Sequence, residues 1–203
     1  MPRTTVTIRT ATSDDLEELL GLHDELLAAG PRRLARPMLD GDTAREKARL
    51  RYAAAMDAPD ARMVVAVEAG RIIGMALLAV TPGTSLVEGP VLHMEHVCVG
   101  PAFRRRGAGR ALVAAAAAWA DEQSAETVSV QVFPTSRESN RFYARLGFAP
   151  VAIVRMAPTA SLRRRLGPEL PAVTTDRSAA SRRLLRLDVA RATRRPPRRR
   201  TTP

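Results

Sequence analysis

Val97-Cys-Val-Gly-Pro-Ala-Phe-Arg104-Arg-Arg-Gly107-Ala-Gly109-Arg-Ala-Leu112 is the stretch whose reading decides the fold. The apolar residues up to Val99 read as the end of a strand, Gly100-Pro101 stops it, and Gly107 and Gly109 open an alanine-rich helix. The first turn of a helix carries unpaired backbone N–H groups and the positive end of the helix dipole, so an anion has a seat there. The two glycines, with Ala108 between them, leave that backbone open to close approach, while Arg104, Arg105, Arg106 and Arg110 add full positive charges around it. These residues suit a diphosphate better than a single carboxylate. No Gly-Lys-Ser/Thr follows, which disfavours a P-loop nucleotide site. The plain alternative is an ordinary strand-to-helix turn with a solvated basic face.

Working outward, Thr5 to Thr10 alternates as a first strand, and Ser13 caps a helix whose leucines fall at helical spacing as far as Ala29. Gly30-Pro31 ends it. Pro31 to Asp42 is irregular, and Thr43-x-x-Glu46 forms a capping box for a second helix to about Met56. Met63 to Glu68 and Arg71 to Val80 read as a hairpin turning at Ala69-Gly70, and Thr81 to Pro90 as a loop. Val91 to Val99 is the next strand, followed by the basic turn and a helix to about Ala120. Thr127 to Phe133 reads as a strand, Arg137 to Leu146 as a short helix closed by Gly147, and Val151 to Arg155 as a last strand. The alternation defines an α/β class.

Val97-x-Val99-x-Pro101 followed by Arg104-x-x-Gly107-x-Gly109 resembles the acyl-CoA signature of the GNAT superfamily of N-acetyltransferases. Asn140-Arg-Phe-Tyr143-Ala-Arg-Leu-Gly147-Phe148 resembles that family's second signature, and the two stand in the family's order, about 35 residues apart. The resemblance covers roughly Val6 to Met156. It implies a GNAT fold: a mixed, mostly antiparallel central sheet with a splayed strand pair, flanked by helices. It also implies acetyl-CoA as co-substrate, no metal, and direct transfer of the acetyl group to a primary amine in a ternary complex. By position, the backbones of Val97 and Val99 would receive the pantetheine arm, and Arg104 to Arg110 would hold the diphosphate. In the family, the connection between the first two helices often borders the acceptor site. Ser136 stands where the family often has Asn; it serves as a CoA contact or merely as a helix cap.

The same resemblance makes Tyr143 the proton donor to the departing thiolate, since a phenol with a pKa near ~10 is protonated at neutral pH. For the base, Glu95 and His93 stand two and four residues before Val97, so alternation puts all three on one strand face. Glu95 is the first choice and His93, with an unperturbed pKa of ~6.5, the second. His96 and Cys98 face the other way, as a core or surface histidine and a small buried residue, with no acyl-cysteine intermediate expected.

The 203 residues carry a net charge of +11, unevenly spread. Residues 158–203 hold 13 arginines against three acidic residues, while residues 1–157 are nearly neutral. The expected organisation is an acetyltransferase domain over 1–157 and a basic Arg/Pro-rich extension over 158–203, partly disordered or with one amphipathic helix over Ser178 to Arg194. That extension lacks aromatics, so it offers salt-sensitive attraction to nucleic acid or an anionic surface but no stacking platform. A single cysteine, Cys98, precludes an intrachain disulfide. No signal peptide and no run of ~18 apolar residues is present, so a cytoplasmic protein without a transmembrane segment is expected. Small-molecule and protein amines both stay open as acceptors, as does a homodimer. The alternative function is a non-catalytic acyl-CoA-binding regulatory protein that engages nucleic acid or a partner through its tail.

Overall fold

Ala69 and Gly70 both take positive φ, 50° and 79°, the conformation of a tight hairpin turn whose twist matches its strands. The turn joins β2 (Ala61–Glu68) to β3 (Arg71–Thr81), and these are the central strands of a computed structural model describing residues 5–29, 41–83 and 86–166. β1 (Thr7–Thr10) adds to β2 on one side and β4 (Val91–Val99) to β3 on the other, all antiparallel. β5 (Thr127–Val130) then pairs with β4 in parallel, giving the order β1-β2-β3-β4-β5. The mixed, mostly antiparallel sheet is the expected one.

Alternation along β2, β3 and β4 sorts the core into two layers. On one face Met63, Val65, Met75, Leu77 and Cys98 pack against Leu19, Leu20 and Tyr52 of helices α1 (Leu16–Ala29) and α2 (Gly41–Asp57). On the other, Val64, Ala66, Ile73, Ala76, Leu92 and Met94 pack against Leu112, Ala116 and Trp119 of α3 (Ala108–Glu122). A short helix, α4 (Arg137–Arg145), follows β5. Gly74 allows the close approach of β3 and β4, because a Cβ there would stand 2.9 Å from the Cys98 carbonyl oxygen.

Four readings differ from the structure. β5 ends at Val130 rather than Phe133. α2 begins at Gly41, two residues ahead of Thr43. Val151 to Arg155 forms no strand: Val151, Ile153 and Val154 are exposed, and β-propensity expresses a fit to a half-buried pleated surface, which this segment lacks. The N-terminal cap is Thr12 rather than Ser13, leading through a 3-10 turn (Ser13–Asp15) into α1. The chain divides into two units at Val154/Arg155. In the second, α5 (Thr159–Leu166) places Arg163, Arg164 and Arg165 in its last turn, where the helix dipole favours them. The amphipathic helix expected over Ser178 to Arg194 lies outside the described residues.

Asp15 anchors the start of α1. Its carboxylate accepts two hydrogen bonds from the Arg9 guanidinium (2.6 and 2.8 Å) and one from the Thr12 backbone N–H (2.8 Å). The hydrogen-bonded guanidinium holds the Asp15 carboxyl at a pKa of about 2 against the cost of burial. The folded-state pKa lies below the unfolded one, so this contribution is present above about pH 4 and is lost as pH falls towards about 2. Asp15→Asn should lower stability by about 1 kcal/mol at neutral pH, discounted for the half-exposed Arg9. Urea unfolding at neutral pH and at low pH should show the gap from wild type closing in acid.

Candidate active site

β4 and β5 pair only from Val91↔Thr127 to Met94↔Val130. Beyond Met94, β4 runs on to Val99 with no β5 partner, so its main-chain groups on that side are not used by the sheet. The two strands thus part beside the basic turn. At the point of parting β4 carries a bulge: Met75 pairs with Cys98 and Leu77 with Glu95, so His96 and Val97 together oppose Ala76. His96 takes φ +48°, a left-handed conformation uncommon for a residue with a side chain.

The bulge corrects the face assignment. Val97 and Val99 pack with Leu92 and Met94 on the α3 side, whereas unbroken alternation predicts Val97 beside His93 and Glu95. His93 and Glu95 therefore stand on the face opposite Val97. The His93 ring is held at both nitrogens, with Nδ1 2.6 Å from Ser129 Oγ and Nε2 2.9 Å from Thr81 Oγ1. The half-buried Glu95 side chain makes no hydrogen bond or ion pair with another described residue.

Past Gly100 a 3-10 turn (Pro101–Phe103) leads into the basic stretch. Arg105 (φ +66°) and Gly107 (φ +98°) both turn left-handed, and α3 starts at Ala108 with its first backbone amides facing the turn. A Cβ on Gly107 would meet nothing within 4 Å, so the backbone there is open to a ligand. Gly109 differs: its missing Cβ makes room for Phe142, whose Cζ would lie 3.3 Å away. The arginines also divide. Arg106 lies 3.3 Å from the buried Glu68 carboxylate, and Arg104 is 3.7 Å from Glu138 with its Nε donating to the Val99 carbonyl (3.4 Å). Arg105 and Arg110 make no ion pair among the described residues and are free to meet an anion.

Phe142 is followed by Tyr143, so the Gly109–Phe142 contact brings the second signature to the first. The Tyr143 ring is buried edge-on between Phe142 and Phe148, at centroid distances of 5.0 and 5.4 Å. Its hydroxyl bonds to no described residue and is not sealed from solvent. Burial pushes its pKa up to about 12, so the proton is kept throughout the physiological range. Ser136 stands at the N-cap of α4 and donates to Ser139 Oγ at 2.8 Å. Asn140 donates to the carbonyls of Phe133 (3.1 Å) and Ser136 (2.7 Å), closing the turn into that helix.

From the sequence alone His96 reads as a core or surface histidine. It joins Arg51, Tyr52 and His23 in a hydrogen-bonded cluster on the α1/α2 side, and only the left-handed bulge makes that position possible. No local pattern in the sequence signals these contacts across 29 to 45 residues. Cys98 is buried, and burial with the nearby Glu25 charge pushes its thiol up to about 11, so it is no thiolate nucleophile at neutral pH. Among the described residues, no cluster of His, Cys, Asp and Glu could hold a metal, and no helix is long and apolar enough to cross a membrane.

Strand order, the parted β4/β5 pair and the glycine-opened helix are those of one fold family. The model of the Acetyltransferase (GNAT) family matches residues 30–148, more than half of the chain, and the chain belongs to that family. Among solved structures, the aminoglycoside N-acetyltransferase AAC(6')-Iy in complex with CoA is 23% identical, with a TM-score of 0.63 over 78% of this chain and 97% of that one. The same enzyme in complex with the bisubstrate analogue CoA-S-monomethyl-acetylneamine gives 22% identity and a TM-score of 0.62 over 76% and 97%. A transcriptional regulator from Bacillus halodurans C-125 is 25% identical, with a TM-score of 0.62 over 75% and 99%. Among curated proteins, none matches the chain by sequence.

The two glycines of the basic turn should respond differently to substitution. Gly109→Val overpacks against Phe142 and should cost about 1–3 kcal/mol, whereas Gly107→Ala has room and should lose only the left-handed preference, about 1 kcal/mol. Equal unfolding midpoints for Gly109→Val and wild type would contradict the packing of α3 on α4.

Proposed function

We propose that the chain transfers the acetyl group of acetyl-CoA to a primary amine by direct attack within a ternary complex. The observation that carries this reading is the gap where β4 and β5 part, with the opened N-terminus of α3 at one end and the Tyr143 ring packed against that helix through Phe142. In this reading the first-turn amides of α3, with Gly107, Ala108 and Gly109, bind the diphosphate, and Arg105 and Arg110 supply uncommitted charge. Arg104 and Arg106, paired with Glu138 and Glu68, shape the turn and contribute charge at longer range. The main chain of Val97 and Val99, which β5 leaves unpaired, receives the pantetheine arm and orients the thioester. Ser136, with lone pairs left on its hydroxyl, contacts the CoA moiety.

The base must take a proton from the acceptor ammonium before its nitrogen attacks the carbonyl carbon. Glu95 suits this better than His93, because its carboxylate is uncommitted while both His93 nitrogens already serve hydroxyl groups. As the C–N bond forms and the C–S bond breaks, Tyr143 donates its proton to the leaving sulfur, and the nitrogen releases its second proton to solvent, from which the phenol is reprotonated. Its buried ring and accessible hydroxyl support that role. A CoA–aminoglycoside conjugate is bound by a structure of the same fold, so a small cationic amine is the first acceptor class to test.

The experiment is Tyr143→Phe, assayed by free-thiol release with a panel of primary amines and by acetyl-CoA titration. Turnover should fall about 100-fold or more, with acetyl-CoA affinity kept within about twofold. Undiminished turnover would remove Tyr143 as the acid. A protein that binds acetyl-CoA but turns over no amine, with or without Tyr143, would favour the acyl-CoA-binding regulatory alternative.

A further inference from the structure

On the α1/α2 side of the sheet, Tyr52 Oη lies 2.8 Å from His23 Nδ1 and 3.1 Å from His96 Nδ1, while His96 Nε2 lies 2.8 Å from a guanidinium nitrogen of Arg51. The direction of this chain follows from its end. A guanidinium only donates, so His96 Nε2 accepts, and the proton of the neutral ring sits on Nδ1. His96 then donates to Tyr52, whose own hydroxyl hydrogen is left for His23 Nδ1. The proton of His23 must therefore sit on Nε2, a buried atom with no partner. Two histidines whose rings stack at 5.4 Å thus hold opposite tautomers, set by one phenol between them.

The chain is intact only while both rings are neutral. Burial lowers the pKa of both histidines, that of His96 to about 4 with Arg51 and His23 adding to the effect. Tyr52 is fully buried and edge-on to both imidazoles, and a phenylalanine would fill the same space. The hydroxyl is what needs a reason. It ties α1 and α2 to His96, the residue that holds β4 in its left-handed bulge, and such a conformation persists only where its surroundings over-determine it. The bulge in turn sets Val97 and Val99 on the α3 side, at the point where β4 loses its partner.

We propose that Tyr52 is a positioning residue for acetyl transfer: by bridging His23 and His96 it fixes the bulge that sets out the Val97–Val99 backbone for the thioester. This role rests on the acetyltransferase reading above. Since the α3 turn carries the diphosphate in that reading, loss of the bridge should misplace the thioester more than it weakens CoA binding.

Two measurements on the full chain test it. Long-range nitrogen–proton NMR of the imidazoles near neutral pH should show His96 protonated at Nδ1 and His23 at Nε2; identical tautomers, or a charged ring, would overturn the chain's polarity and the proposal. Tyr52→Phe should lower kcat about tenfold while the KM for acetyl-CoA stays within about threefold. If Tyr52→Phe does not fold, His96→Asn, which tolerates the left-handed backbone, should give the same split. An active wild type matched by its folded variants overturns the positioning role alone. A wild type that neither binds nor turns over acetyl-CoA overturns the acetyl-transfer reading and this role with it.

Discussion

Parallel pairing between β4 and β5 stops after Met94 and Val130, and the rest of the molecule is arranged around that stop. A sheet that continued would bury the main chain of Glu95 to Val99 in ladder hydrogen bonds. Instead a bulge at His96 turns Val97 and Val99 towards α3 and leaves their outer main-chain groups unused by the sheet. In the proposed function that backbone is the edge that receives the pantetheine arm, which a regular strand would lack. The basic turn and the opened N-terminus of α3 follow directly in sequence, so in the proposed function one continuous stretch supplies both that edge and the diphosphate site.

Contacts on both faces of the sheet hold this arrangement. On one, Phe142 packs where Gly109 has no Cβ and Arg104 reaches Glu138, so α4 and Tyr143 are bound to the helix that opens the basic turn. On the other, the His23–Tyr52–His96 bridge joins both N-terminal helices to the bulge. Between them, Gly74 lets β3 and β4 approach closely just beyond the bulge. Glycine thus acts in three separate ways: open backbone at Gly107, packing room at Gly109 and strand approach at Gly74.

The sheet from β1 to β4, α3 and both signatures were legible in the sequence, because each rests on local period, turn residues or a short motif. Gly107 was legible as open backbone, while the packing partner of Gly109 was not, since Phe142 stands 33 residues on. The bulge was illegible because alternation has no marker for an inserted residue, and missing it put Val97 on the face of Glu95 and His93. Tyr52 and His23 carried no motif at all, since their meaning comes only from contacts across 29 and 44 residues. Val151 to Arg155 shows the converse failure: its apolar, β-branched run has strand propensity but no edge to pair with.

The central claim is that the parted strands and the α3 turn form an acyl-CoA site, and calorimetric titration of the full chain with acetyl-CoA tests it most directly. The account predicts saturable binding in the micromolar range or tighter, weakened when Gly107 is replaced by a bulkier residue and weakened again as salt is raised. Absence of binding by the wild type, or binding indifferent to Gly107, would contradict it.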